Sequence, residues 1–188
     1  EMSTSDWSSD VCSSDLHAQG ISGVSIRTVA AEAGISTGSL RHVFPSKADL
    51  LVHAMELVGR RAQGRIEEHL YEPDPRALVL AVIKELLPLD AERRAEMEVN
   101  VALIAEAPGD ERVKEVLDVA HATVRDACRH MIAHLHRAGL TAPDLDVEGA
   151  TTLLHGLVDG LAIHMLVNPD PAFERQALSM IETTINEL

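Results

Sequence analysis

The stretch GISTGSLRHVFP, residues 34–45, constrains the fold of this chain more than any other. It follows a short segment, residues 25–33, in which apolar residues recur at helical spacing. Gly34 can adopt the positive φ that ends one helix, and the hydroxyl of Ser36 can cap the next. The stretch therefore predicts two short helices joined by a tight turn, which is the helix-turn-helix arrangement.

The second predicted helix, residues 37–43, has an apolar and a polar face. Leu40 and Val43 are expected to be buried, whereas the small and polar side chains between them suit the major groove of DNA. A longer helix follows, and Lys47 in its first turn adds a cation to a helix N-terminus, which favours a phosphate. The candidate DNA-binding residues are Ser25, Arg27, Thr28, Ser36, Thr37, Gly38, Ser39, Arg41, His42 and Lys47.

Between residues 21 and 57 the sequence resembles the tetracycline-repressor (TetR) family of bacterial transcription regulators. The matching residues, in the order and spacing of the family, are Val29, Ala30, Ala33, Gly34, Ile35, Ser36, Gly38, Ser39, Leu40, Phe44, Lys47 and Leu50. The resemblance implies a DNA-binding head followed by a helical body that binds a ligand and dimerises. One departure is Arg41, because the family commonly has an aromatic residue there; a guanidinium would then make the phosphate contact.

The remainder of the chain shows helical periodicity and no strand pattern. Proline, glycine and aspartate residues divide it into predicted helices at about 46–69, 75–87, 91–107, 110–138, 146–168 and 171–188. Either Thr141 or Asp146 begins the helix that ends near residue 168. We therefore predict an all-α fold with a helix-turn-helix DNA-binding domain over residues 17–66 and a helical ligand-binding and dimerisation domain over residues 67–188.

The segment DWSSDVCSSDL, residues 6–16, has no helical or strand periodicity. It resembles the conceptual translation of a sequencing-library adaptor, so residues 1–16 are interpreted as non-native. The alternative is a native, disordered, serine-rich arm. On the first interpretation residues 17–20 are the remainder of the first helix of the head, most of that helix is missing, and we expect this chain to bind DNA poorly.

Charge is distributed unevenly along the chain. Between Ser25 and Arg65 six lysines and arginines accompany three acidic residues, a net charge of +3, whereas the remainder carries −17 and the whole chain −14. An acidic body would repel DNA, so only the cationic head is suited to phosphate and binding should depend strongly on salt. No apolar run approaches the roughly 20 residues that cross a bilayer, which predicts a cytoplasmic protein without membrane contact.

The last two predicted helices carry more apolar surface than one face of a helical bundle requires. The glycines at 156 and 160 also permit the close approach of another backbone. The resemblance implies a homodimer in which these helices pair with their symmetry mates in a four-helix bundle. The alternative is that both helices only close the core of a monomer. The candidate dimer residues are Leu157, Leu161, Leu178, Ile181 and Ile185.

Several polar residues of the predicted body either lie on the surface or line a ligand cavity. The candidate ligand-binding residues are Met97, Asn100, Ile104, His121, Arg125, His155 and Asp159. His130 and His134 share a helix face, and we interpret them as part of a solvated surface instead of a metal site. The cysteines, Cys12 and Cys128, are too far apart in sequence to suggest a disulfide framework or zinc site.

No HExxH motif, phosphate-cradling glycine loop or Rossmann fingerprint is present in the sequence, so we predict no enzyme, no catalytic residue and no cofactor. The predicted function is that of a ligand-responsive transcriptional regulator. Specifically, it is a homodimeric repressor that a small molecule of unknown identity releases from a palindromic operator. Residues 155–169, HGLVDGLAIHMLVNP, also resemble the BetI-like class of C-terminal domains. The alternative is an all-helical metal- or small-molecule-binding protein without operator binding.

Overall fold

The computed structural model describes residues 25–188. The predictions for residues 1–16 and 17–20 lie outside the described residues. In the described part there are eight α-helices and no β-strand, which confirms the all-α fold. The helices are α1 (Ile26–Glu32), α2 (Thr37–Val43), α3 (Lys47–His69), α4 (Pro75–Glu85), α5 (Ala91–Glu106), α6 (Glu111–Arg137), α7 (Val147–Val167) and α8 (Pro171–Asn186), with a 3₁₀ turn at Ala107–Gly109 between α5 and α6.

Short polar side chains cap most helix starts. The capping residues of α1, α2, α4, α5, α7 and α8 are Ser25, Ser36, Asp74, Asp90, Asp146 and Asp170. Each side-chain oxygen accepts a hydrogen bond from a backbone N–H of the first turn, an interaction that stabilises a helix by about 0.5–2 kcal/mol. Asp146, and not Thr141, caps α7, which settles the choice that the sequence left open.

Two glycines end helices with a left-handed backbone. Gly34 follows α1 with φ of 66°, and Gly139 follows α6 with φ of 69°. At Gly34 the turn is closed by the N–H of Ile35, which donates to the carbonyl of Ala30 at 3.0 Å. Positive φ strains residues that carry a Cβ, so this turn of the helix-turn-helix requires a glycine.

We expect Gly34→Ala to lower the free energy of unfolding by about 1–2 kcal/mol, because the added Cβ strains a left-handed backbone. A Cβ built at residue 34 has no neighbouring atom within 4 Å, so the loss of stability comes from backbone strain and not from a steric clash. Gly59→Ala in α3 is the matched control: its surroundings are equally open, but its backbone is helical. That change should raise the free energy of unfolding by about 0.5–1 kcal/mol. Urea unfolding measures both, and two effects of the same sign would contradict the assigned turn.

Contacts divide the described chain into two compact units. The first unit contains residues 25–61 and 90–119, which are α1, α2, most of α3, α5 and the start of α6. The second contains Ala62–Leu89 and Ala120–Leu188. The unit that holds the helix-turn-helix is thus larger than the predicted DNA-binding domain, because α5 and the start of α6 contribute to the same core. The division at residue 66 remains our proposal for the boundary between functions.

The core of the first unit connects α2 to the longer helices. Leu40 is 7% exposed and belongs to one buried cluster with Leu51 of α3 and Leu103 of α5. Val43 was predicted to be buried, and this prediction is wrong, since 59% of it is exposed. The side of α2 that faces the core contains Leu40 and continues, four residues later, to Phe44. The ring of Phe44 packs against the cluster.

In the second unit, α4, α7 and α8 and the larger part of α6 contribute fully buried side chains. The largest of these are Ile83, Leu87, Ile132, Leu135, Leu154 and Ile181. Within the described chain one helix, α7, is long and apolar enough by composition to cross a membrane, with a mean hydropathy of 1.4. Charged Glu148 and Asp159 interrupt it, and one of its faces is buried in this unit. These features are typical of the core helix of a soluble protein.

Candidate DNA-binding, ligand and dimer sites

The first helix of the helix-turn-helix, α1, has two hydroxyl residues at its start, and both are used for capping. Ser25 and Thr28 form a reciprocal capping box: the Thr28 N–H donates to Ser25 Oγ at 3.2 Å, and the Ser25 N–H donates to Thr28 Oγ1 at 3.0 Å. Arg27 is exposed beside them. Of these three candidates, Arg27 is therefore the one whose side chain points into solvent, and the two hydroxyls fix the start of α1.

The candidate residues of α2 lie together on its solvent side. Ser36 Oγ accepts the Ser39 N–H at 3.0 Å and lies 2.8 Å from Ser39 Oγ, so both hydroxyls are oriented at the start of the helix. Gly38, Ser39, Arg41 and His42 are exposed, and Thr37 is half-buried. A Cβ at residue 38 would meet Ser36 Oγ at 3.6 Å, an ordinary contact. The helix thus presents small hydroxyl, imidazole and guanidinium groups from a backbone anchored by Leu40.

Lys47, the first residue of α3, has a partner that the sequence did not reveal. Its Nζ donates to Glu106 Oε2 at 3.0 Å, and each side chain is 38% exposed. Nearby, Arg112 Nη2 donates to Asp49 Oδ1 at 2.8 Å. The hydrogen bond from the Ser46 hydroxyl and then Arg112 hold the pKa of Asp49 below its usual value, and Asp49 raises the pKa of Arg112. Both partners are about 60 residues away in sequence, beyond the reach of any local pattern.

The candidate ligand residues fall in two compact units. In the first, Met97 and Asn100 are half-buried on α5, and Asn100 Nδ2 lies 3.8 Å from Met97 Sδ. Ile104 on the same helix is 41% exposed, so its side chain is a surface group within this unit. The hydrogen bond between Asn100 and Met97 uses one donor of the amide, and the amide oxygen remains a possible acceptor.

In the second unit, His155 is the most buried of the candidate polar groups. Its side chain is 18% exposed, and its Nε2 lies 3.3 Å from Asp159 Oδ2. The geometry of this approach does not make a hydrogen bond, and Nε2 is buried without another partner among the described residues. The ring of His121 stands edge-on to that of His155, with centroids 6.5 Å apart. The structure thus brings His121, His155 and Asp159 together.

Arg125 and Cys128 border this cluster on α6. Arg125 is 43% exposed and pairs with Glu148 at 2.9 Å, so its charge is already compensated at the surface. Burial, and secondly the charge of Asp159, raises the pKa of the Cys128 thiol to about 11. The thiol is therefore protonated at neutral pH, which makes it a poor nucleophile. In the described part of the chain no group of three His, Cys, Asp or Glu residues is arranged for a metal.

The dimer residues require a correction. Leu161, Ile181 and Ile185 are 7%, 0% and 2% exposed within the single chain, so they form the core of their own unit and have almost no surface to offer a partner. Leu157 and Leu178 are half-buried. The periodicity of α7 and α8 identified an apolar stripe but could not show that this stripe faces the interior.

A different face of α7 and α8 is open to solvent. Leu153 is 60% exposed, and Gly156 and Gly160 continue the same side of α7 with no atom within 4 Å of an added Cβ. On α8 Met180 is 43% exposed beside a shallow open groove of about 380 Å³. Residues of α8 alone line this groove; they are Gln176, Ser179, Met180, Thr183 and Thr184. Small and apolar residues thus lie on the exposed sides of both helices, which suits them for packing against another helix.

Comparison with known families matches two separate parts of the chain. Residues 16–54 match the family described as bacterial regulatory proteins, tetR family. Residues 75–188 match the family described as BetI-type transcriptional repressor, C-terminal. The second match includes residues 155–169, where the sequence resembled the BetI-like class, and confirms that prediction. Both families are regulators and not enzymes.

A curated protein and solved structures agree with these families. The HTH-type transcriptional regulator PksA of Bacillus subtilis (strain 168) is 35% identical over 152 residues, which cover 80% of this chain and 73% of that protein. The crystal structure of a transcriptional regulator from Rhodococcus sp. Rha1 has a TM-score of 0.79 at 26% identity, covering 97% of this chain and 96% of that one. A TetR transcription regulator from Haloarcula marismortui ATCC 43049 has the same fold, with a TM-score of 0.79 at 21% identity over 97% and 96% of the two chains.

Proposed function

Because this chain belongs to the TetR family of bacterial transcriptional regulators, we propose that it acts as a homodimeric, cytoplasmic repressor of a palindromic operator. It is a DNA-binding regulator and not an enzyme. In the proposal, α1, α2 and the first turn of α3 bind the operator, and a small molecule held by the body releases it. The alternative of a helical binding protein without operator contact is not favoured, since the matched families are DNA-binding regulators.

The exposed side of α2 is the main support for the proposed DNA binding. Ser39, Arg41 and His42 lie on it, while Leu40 holds the helix in the core. Donors and acceptors on a rigidly held helix can read base edges, and cations beside them can hold the backbone. We therefore assign Thr37, Ser39 and His42 to base edges and Arg41 and Lys47 to phosphates.

These assignments predict two kinds of mutant. Lys47→Ala should weaken binding to all duplexes about equally and should lower the salt slope of binding by about one unit, since one phosphate contact is lost. His42→Ala should instead change the preferred sequence. Arg137→Ala, an exposed cation in the other unit, is the control and should leave the slope unchanged. Fluorescence anisotropy over a salt series measures these slopes. A Lys47→Ala protein with an unchanged slope and an altered preference would contradict the phosphate assignment.

The ligand-binding part rests on the cluster of His121, His155 and Asp159. A buried imidazole nitrogen without a hydrogen bond costs free energy, and a ligand donor or acceptor that reaches it would recover that cost. For release from DNA, the ligand must bind the DNA-incompetent state more tightly than the DNA-bound state. Arg125 remains a proposed contributor within the same unit, and Met97, Asn100 and Ile104 remain separate proposals in the first unit.

The homodimer part rests on the open face of α7 and α8. A palindromic operator has two half-sites, and two identical heads read them only if a twofold axis relates the subunits. The open face, defined by Leu153, Gly156, Gly160 and Met180, replaces the buried stripe as our proposed interface. Leu157 and Leu178, which are half-buried, can contribute at its edge.

A further inference from the structure

The first turn of α3 is joined to the corner between α5 and α6 by two ion pairs of opposite polarity. Lys47 on α3 pairs with Glu106 at the end of α5, and Asp49 on α3 pairs with Arg112 at the start of α6. All four residues belong to the first compact unit. The corner therefore supplies the Glu106 carboxylate to Lys47 and the Arg112 guanidinium to Asp49.

Glu106 occupies an electrostatically unfavourable position without Lys47. It is the last residue of α5, where the unpaired backbone carbonyls give the helix end a partial negative charge. The Lys47 ammonium, whose Nζ lies 3.0 Å from Glu106 Oε2, compensates this negative charge. This compensation favours the conformer in which Lys47 points at α5.

The same ammonium is the phosphate ligand in the proposed function. A DNA phosphate and the Glu106 carboxylate are both anions, so placing them on one ammonium brings two negative charges together, and the two acceptors compete. The pair is 38% exposed on each side, a setting in which ion pairs are weak enough to exchange.

We propose that Glu106 is an internal competitor of the DNA backbone for Lys47, so that the chain restrains its own affinity for DNA. Binding exchanges the Lys47–Glu106 ion pair for a contact between Lys47 and a phosphate, while the Asp49–Arg112 pair keeps the first turn of α3 in place. Glu106 is thus a positioning residue, which acts through Lys47. This inference rests on the proposed DNA-binding function and adds a residue that lies outside the helix-turn-helix.

The test measures the affinity of the full chain for a short duplex of mixed sequence at low salt. Glu106→Gln should raise the affinity roughly two- to fivefold, the range expected when a partly exposed ion pair no longer competes. Glu106→Asp keeps the charge but shortens the side chain by one methylene, so it should raise the affinity by a smaller factor. Glu111→Gln removes a charge from the same corner, at a residue that is not paired with Lys47, and should change the affinity less than Glu106→Gln.

A double-mutant cycle with Lys47→Ala decides between competition and general repulsion. In the Lys47→Ala background Glu106→Gln should lose most of its effect. An equal rise in both backgrounds would overturn the proposal, because it would show only the removal of a negative charge near DNA. A fall in affinity with Glu106→Gln would also overturn it and would show that the pair supports the DNA-binding conformation. If neither this chain nor a variant with a complete first helix in place of residues 1–16 shows salt-dependent binding to any duplex, the proposed function itself fails.

Discussion

Gly160→Arg should convert the proposed homodimer into monomers that keep their helical content. Gly156 and Gly160 lie on the open side of α7, and a Cβ added to either meets no atom of its own chain within 4 Å. Within one subunit the change replaces a helical glycine and should stabilise α7 by up to about 1 kcal/mol. In a dimer it places a guanidinium where two backbones approach closely, and an unpaired charge in such an interface costs several kcal/mol.

We therefore expect the dissociation constant of the dimer to rise by at least roughly a hundredfold, which corresponds to about 3 kcal/mol. Sedimentation equilibrium measures the constant, and circular dichroism checks the helical content. Gly64→Arg is the matched control, because this glycine of α3 is also helical, exposed and without neighbours within 4 Å. That variant should remain dimeric. A Gly160→Arg protein that is still dimeric would place the interface on another surface.

Leu40→Ala should destabilise the first unit far more than Val43→Ala, although the two residues lie three positions apart on one short helix. Leu40 is 7% exposed in the core cluster, and removing its side chain leaves a cavity that costs about 2–5 kcal/mol. Val43 is 59% exposed, and a surface change of this kind stays within about 0.5 kcal/mol.

Hydrogen exchange of the α1 and α2 amides separates these two variants, because α2 is anchored to the core through Leu40. Leu40→Ala should accelerate exchange in both helices and weaken binding to every duplex, whereas Val43→Ala should do neither. Equal losses of stability would show that α2 packs through Val43 as well, as the sequence suggested. Faster exchange after Val43→Ala alone would reverse the assignment of the two faces.

Helix boundaries and caps were predictable from sequence because their causes are local. An aspartate or serine followed by an apolar helical pattern supplies its own acceptor for the first N–H groups, and Gly34 supplies the φ that ends α1. The helix-turn-helix could be recognised for the same reason: its turn, cap and anchor residue lie within a few residues of one another.

The direction in which an apolar face points was not predictable in the same way. Periodicity groups residues on one side of a helix, but the stripe of Leu161, Ile181 and Ile185 looks the same whether it faces the core or a second subunit. On α2, Val43 and Phe44 are adjacent, and their packing against other helices decides which one is covered. The ion pairs that Glu106 and Arg112 form with α3 could not be predicted, because each residue reaches α3 only in the folded chain.

The candidate ligand residues show the same limit. His155 and Arg125 were equivalent as polar residues on helices of the predicted body. In the structure the imidazole of His155 is largely covered beside Asp159, whereas Arg125 is satisfied at the surface by Glu148. Sequence gives the residue types that a cavity could use, and packing determines which of them it can reach.

A selection of this protein against a library of randomised DNA duplexes at low salt tests directly whether it reads an operator as a dimer. A homodimer of helix-turn-helix heads reads two half-sites related by a twofold axis, with centres about one helical turn or a multiple of it apart. We predict that the recovered duplexes share an inverted repeat with this spacing, and that the Gly160→Arg variant recovers none of it. Recovery of duplexes that share no sequence, or that share a single half-site without its inverted copy, would contradict the central claim.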